Sequence, residues 1–97
     1  MVEVRKIADS IQRRVVFSYA AAPGHVVALA GVFNDWDSSG QIMTCDADSF
    51  VYRCEIRLAP GCYEYKLVVD GEWLLDDTNP NFVSNDFGTL NSVAVVE

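Results

Sequence analysis

From residue 14 onward, apolar and polar residues alternate or gather into short runs, which is the period-two signature of strands rather than helices. Val15-Val16-Phe17-Ser18-Tyr19 is rich in β-formers and ends before the turn pair Pro23-Gly24. His25 to Phe33 follows as a nearly continuous apolar run, the pattern expected of a central strand covered on both faces. Asn34 to Gly40 reads as a polar loop with one indole, Trp36, inside it, and Ile42 to Cys45 as a short strand. Phe50 to Leu58 alternates: Phe50, Tyr52, Cys54, Ile56 and Leu58 share one face, Arg53, Glu55 and Arg57 the other. Ala59-Pro60-Gly61 turns the chain into a strand with Tyr63, Tyr65, Leu67 and Val69 on one side and Glu64, Lys66 and Val68 on the other. Asp70-Gly71 is a two-residue hairpin signal leading into Glu72 to Leu75. A loop from Asp76 to Gly88 precedes the last strand, Leu90 to Val96.

Upstream the period changes. Val4, Ile7, Ala8 and Ile11 fall at helical spacing with Arg5, Lys6, Asp9 and Gln12 between them. Residues 3–12 therefore read as a short amphipathic helix, too short to stand alone, or else as a flexible arm. The body has about seven strands and no helix, so the expected fold is an all-β, immunoglobulin-like antiparallel β-sandwich. The expected division is a basic arm over 1–14 and a sandwich over 15–97.

Composition narrows the partners. A chain of 97 residues, 51% of them hydrophobic, has the length of one domain and enough apolar area for a core. Its 7 Lys and Arg stand against 14 Asp and Glu, for a net charge of −7. The cations are unevenly placed. Arg5, Lys6, Arg13 and Arg14 lie in the first fourteen residues, and the rest of the chain carries only Arg53, Arg57 and Lys66. A body this acidic repels nucleic acid and anionic membrane, while the basic arm is suited to docking on a partner enzyme or on a second copy of the chain. No stretch has the apolar length to span a bilayer, and the first residues lack the apolar core of a secretory signal. Three cysteines, Cys45, Cys54 and Cys62, with no C-x-x-C pair point to reduced thiols in a cytoplasmic protein rather than to zinc or disulfides.

The sequence offers little for catalysis. Its single histidine, His25, stands beside a turn, and nucleophile-elbow, phosphate-loop and metal-helix motifs are missing. Asp35, Asp37, Asp76 and Asp77 fall in loops, where solvated turn residues are expected, and lack calcium-loop spacing. The reading is a non-enzyme without metal or cofactor. Cys54, alternating with Phe50, Tyr52 and Ile56, reads as a small core residue. The aromatic residues say more. Trp36, Trp73 and Phe87 sit among polar residues, where a large apolar side chain gains nothing unless something covers it. A sugar ring suits such a surface: its C–H faces stack on an indole and its hydroxyl rim takes hydrogen bonds, which Lys66 and Asn91 are positioned to supply. The alternative from spacing alone is that the two tryptophans plug the ends of the sandwich.

Three segments together resemble carbohydrate-binding module family 48, the glycogen-binding domain of AMP-activated protein kinase β subunits and the early-set domain of branching and debranching enzymes. They are Ala30-Gly31-Val32-Phe33-Asn34-Asp35-Trp36, Glu64 to Trp73, and Phe87-Gly88-Thr89-Leu90-Asn91, within a likeness that runs from about Val15 to Val96. The resemblance implies binding of α-1,4-linked glucan (glycogen, starch or malto-oligosaccharide), with Trp36 and Trp73 stacked on glucose rings. It also implies that Lys66 and Asn91 bond sugar hydroxyls, that Thr89 adds a polar contact, and that Phe87 enters the curve of the glucan where the kinase modules have leucine. The kinase subunits carry a further C-terminal segment and this chain stops at Glu97, so the expectation is a free-standing glucan binder. A structural or protein-interaction module associated with a glucan-metabolising enzyme is the other expectation.

Overall fold

The computed structural model describes all 97 residues, Met1–Glu97. Two antiparallel sheets face one another. The first contains β1 (Val2–Lys6), β2 (Arg13–Ala20), β5 (Thr44–Asp46) and β6 (Val51–Leu58), in the spatial order β1-β2-β6-β5. The second contains β3 (Val27–Gly31), β4 (Gln41–Ile42), β7 (Gly61–Val69), β9 (Phe82–Ser84) and β10 (Leu90–Val96), in the order β4-β3-β7-β10-β9, with β8 (Glu72–Leu74) also paired to β7. The sandwich is therefore as the alternation predicts, but built from ten strands rather than about seven. The additions are β1, the exposed strand β9, and the division of the 42–45 segment into β4 and β5, one in each sheet.

Inward residues of both sheets meet in one core. Val15 and Phe17 of β2 and Tyr52 and Leu58 of β6 pack with Val27 and Leu29 of β3, Tyr65 and Leu67 of β7, and Ala94 and Val96 of β10. Phe17 meets the edge of Tyr65 at 5.0 Å between ring centroids, one of the favoured aromatic arrangements. Cys54 is half-buried beside this core, and burial pushes its thiol pKa up to about 11. Phe50 departs from the face assigned to it: its backbone is left-handed and its ring exposed, so the inward alternation starts at Tyr52. The long apolar run also ends early, because Val32–Asn34 form a single 3-10 turn after β3.

The expected helix over 3–12 is absent, and Val2–Lys6 form a strand instead. Val2 and Val4 lie opposite Phe17 and Val15 and pack on the core, with Glu3 and Arg5 outward. A strand here satisfies the otherwise unpaired edge of β2 and buries two valines, whereas a ten-residue helix gains little from its own hydrogen bonds. Residues 7–12 return the chain to β2: Asp9 takes a left-handed backbone and Gln12 N donates to Ser10 Oγ at 3.1 Å. Ile11, which the helical spacing would place on a docking face, is 81% exposed.

Asp76 also departs from the sequence reading. It is 3% exposed, not a solvated turn residue. Its carboxylate accepts hydrogen bonds from Tyr65 Oη at 2.6 Å, Thr78 Oγ1 at 2.7 Å and the Met1 ammonium at 3.0 Å. Burial by itself raises the pKa of this carboxyl, but the bonds from Tyr65, Thr78 and the ammonium outweigh burial and hold it below the usual value. The same burial and the adjacent anion push the Tyr65 hydroxyl well above its ordinary range.

Candidate functional site

The outer face of the second sheet carries a groove of ≈ 670 Å³, within the range of small-molecule sites. Its position follows from strand lengths. Along one edge of β7, β10 pairs as far as Tyr65 and β8 begins at Leu67, so Lys66 falls in the gap between two strands laid end to end. All six residues singled out in the sequence (Trp36, Lys66, Trp73, Phe87, Thr89 and Asn91) line this one groove, although they come from a loop, three strands and a second loop.

Each is held differently. Trp36 follows β3 through a turn in which Asp35 and Trp36 are both left-handed, with φ of 55° and 59°. Such backbone costs about 1 kcal/mol or more per non-glycine residue and needs outside support. Asn34 supplies part of it: Gly31 N donates to Asn34 Oδ1 at 3.0 Å, and Asn34 Nδ2 donates to Leu29 O at 2.9 Å. Packing supplies the rest. Trp36 is half-buried on a small second cluster of Ala28, Ala30 and Val68, two small residues and a valine that leave room for an indole on the outer face of the sheet. Trp73 sits on β8 directly opposite Val68 and is 44% exposed. Neither tryptophan plugs an end of the main core: Trp36 rests on the outside of the sheet, and Trp73 keeps much of its ring open. Phe87, at the tip of the β9–β10 loop, is 91% exposed.

The polar groups form one chain of hydrogen bonds with opposite charges at its two ends. Lys66 Nζ donates to Thr89 Oγ1 at 2.9 Å, and Asn85 Nδ2 donates to the same oxygen at 2.7 Å. Asn85 Nδ2 also donates to Asn91 Oδ1 at 3.0 Å, and Asn91 Nδ2 donates to Glu64 Oε1 at 3.1 Å. A hydroxyl has two lone pairs and one proton, so Thr89, whose oxygen already accepts twice, is left as a donor toward the groove. Asn91, 6% exposed, is buried yet keeps one N–H and one lone pair uncommitted in this network. Lys66 retains donors at one end and Glu64 acceptors at the other.

Asn85 was missed from sequence, where it reads as one more polar loop residue. It has no capacity to spare: while its amide nitrogen donates twice, its Oδ1 accepts from Phe87 N at 2.9 Å and from Thr89 N at 3.1 Å. It thereby fixes the loop that presents Phe87 and orients both Thr89 and Asn91. Glu64 was missed as well, though its shared face with Lys66 is a legible signal. Gly31 admits no side chain, since a Cβ there would lie 2.6 Å from Glu64 O and 2.8 Å from the Phe33 ring. No cluster of three or more His, Cys, Asp or Glu side chains is arranged to hold a metal. His25 is occupied at the far turn, with Nδ1 2.6 Å from Asp70 Oδ2.

The family model described as the glycogen recognition site of AMP-activated protein kinase matches residues 13–97. The rat 5'-AMP-activated protein kinase subunit beta-1 is 34% identical over 95 residues, which cover 98% of this chain and 33% of that protein. The rice protein FLOURY ENDOSPERM 6, chloroplastic, is 32% identical over 108 residues, covering 99% of this chain and 20% of its own length. Protein PTST homolog 2, chloroplastic, of Arabidopsis thaliana is 33% identical over 61 residues, or 63% of this chain. The chain thus spans about a third of the rat subunit and less of the plant proteins. On the match over residues 13–97, with the segments around Trp36, Lys66 to Trp73 and Phe87 to Asn91 gathered at one groove, the chain belongs to the family of the glycogen recognition site of AMP-activated protein kinase.

Proposed function

We propose that the chain is a non-catalytic module that binds α-1,4-linked glucan in the groove of the second sheet. Trp36 and Trp73 stack on successive glucose rings, and Phe87 enters the concave side of the glucan. Lys66 and Thr89 donate to sugar hydroxyls, while Asn91 both donates and accepts. The observation that carries this reading is the convergence of two partly exposed indoles, an exposed phenyl ring and a fixed row of donors and acceptors in one open groove. A pyranose needs that pairing of apolar face and polar rim. The family's description, with its glycogen recognition, supports the same ligand. Lys66 is the only cation lining the groove, against Glu64 and Asp86, which favours a neutral glucan over a sulfated or phosphorylated one. Affinity is modest, because an open site must order a flexible ligand while covering only part of it. A glucan-metabolising enzyme is the proposed partner of the module.

Titration of maltoheptaose or β-cyclodextrin, followed by tryptophan fluorescence, tests this. The expected result is a saturable change in the unmodified chain, weakened in both Trp36→Ala and Trp73→Ala. No change at about millimolar sugar, the weak end of specific binding, refutes glucan binding. Unaltered affinity in both variants removes the site from this groove.

A further inference from the structure

The outer face of the four-stranded sheet, opposite the groove, bears a feature that sugar binding does not use. In the strand register Arg5 lies directly across from Arg14, and Arg14 directly across from Arg57. Three arginines thus stand side by side on neighbouring strands, over roughly 10 Å at the usual interstrand spacing. Like charges directly opposite one another destabilise a sheet. Their own counterions offset this only in part. Arg5 meets Glu3 at 2.8 Å and Arg14 meets Glu55 at 3.2 Å, but Arg57 has no ion pair. Arg14 Nε is shielded from solvent and forms no aligned hydrogen bond despite its nearness to Glu55. With Arg53 on the same face, four of the chain's 7 cations are gathered on a single surface of a protein with net charge −7.

We propose that this arginine row docks an acidic segment of a partner protein. Guanidinium forks match carboxylates two bonds at a time, which arginine does better than lysine. The occupant is a segment with a few discrete carboxylates rather than a continuous polyanion. The next row on this face is Glu3, Val16 and Glu55, so a phosphate backbone laid across the sheet would meet two carboxylates and then the acidic remainder of the molecule. A short acidic segment along the row meets the unpaired Arg57 and competes with one carboxylate each for Arg5 and Arg14. Since the two sheets expose opposite faces, a partner held here leaves the groove open. The chain then joins that partner to whatever the groove binds.

The test is fluorescence anisotropy of a labelled nine-residue peptide of alternating glutamate and serine, at about 20 mM salt, where screening is weak, and again at about 150 mM. The expected result is saturable, salt-sensitive binding that weakens about fivefold or more in each of Arg14→Gln and Arg57→Gln, with maltoheptaose binding unchanged. Absence of peptide binding at low salt, or equal binding by the variants, overturns the proposal. Tighter binding of a single-stranded oligonucleotide or of anionic vesicles than of the peptide overturns the choice of partner. Urea unfolding supplies an independent readout. Arg57→Gln is expected to raise the midpoint, because it removes a repulsion and keeps the aliphatic stem. A lowered midpoint means that the row serves the fold, and refutes the proposal.

Discussion

Phe87→Ala separates binding from folding more cleanly than either tryptophan change. The ring is 91% exposed, so the folded chain alone gains almost nothing from it. Of the roughly 175 Å² that a phenylalanine side chain can bury, about half is covered when a sugar chain rests on one face. At about 25 cal/mol per Å², covering some 80 Å² is worth about 2 kcal/mol. Ordering the loop side chain on binding takes back about 0.5–1 kcal/mol. The net loss in Phe87→Ala is therefore about 1–1.5 kcal/mol, or a Kd for maltoheptaose raised about five- to tenfold. Calorimetric titration reads the Kd, and thermal unfolding of the same samples reads stability, with Tm expected to stay within about 1 °C of the unmodified chain. An unchanged Kd shows that no ligand covers the ring. A Tm lowered by several degrees refutes the premise that the ring is idle in the free protein. Phe87→Leu, which restores an apolar side chain of smaller area, is expected to recover part of the affinity.

Three further outcomes follow from particular contacts. Asn85→Ala removes two donated and two accepted hydrogen bonds, so it is expected to weaken sugar binding about tenfold by releasing the loop and the Thr89 and Asn91 orientations, as read by calorimetry. Asn85→Asp keeps both bonds accepted from the backbone N–H groups of Phe87 and Thr89 and loses both donated ones, and an intermediate result is expected. Asp76 has a folded pKa below its unfolded one, so its contribution is complete above about pH 4 and is lost as pH falls through the folded value. Urea midpoints measured across that range are expected to fall in acid, with a shallower fall and about 1–3 kcal/mol less stability at neutral pH in Asp76→Asn. Gly31→Ala drives a methyl group into Glu64 O and the Phe33 ring and is expected to cost about 1–3 kcal/mol, read as a lowered urea midpoint.

The sandwich was legible because its central strands alternate strictly: Tyr63, Tyr65 and Leu67 against Glu64 and Lys66 leave only one way to face a core. The N-terminal strand was not. Five residues present only two inward positions, Val2 and Val4, and the competing helical set Val4, Ile7, Ala8 and Ile11 is numerically stronger. The open edge of β2 decides between them, and no local pattern reports an open edge. Asp76 was misread for a related reason. Its partners Tyr65 and Ser92 lie on β7 and β10, so its burial is a fact of tertiary structure that its loop composition does not carry. Asn85 looks like any Asx-turn residue until the turn is seen to deliver its amide to Thr89 and Asn91.

The groove's placement bears on how it works. Lys66 faces the groove by the alternation of β7, and the pairing partner on one side of it changes there from β10 to β8, the strands that carry Asn91 and Trp73. Three of the six candidate residues thus inherit their positions from sheet hydrogen bonds, and Thr89 is held by Lys66 and Asn85. Trp36 sits on a loop but is fixed to the outer surface of the same sheet by Ala28, Ala30 and Val68. Only the Phe87 ring lacks a packing partner of its own, and its backbone is tied by Asn85. A groove held this firmly has little to rearrange, so the affinity expected for the proposed glucan follows the ring area it covers rather than closure of a lid.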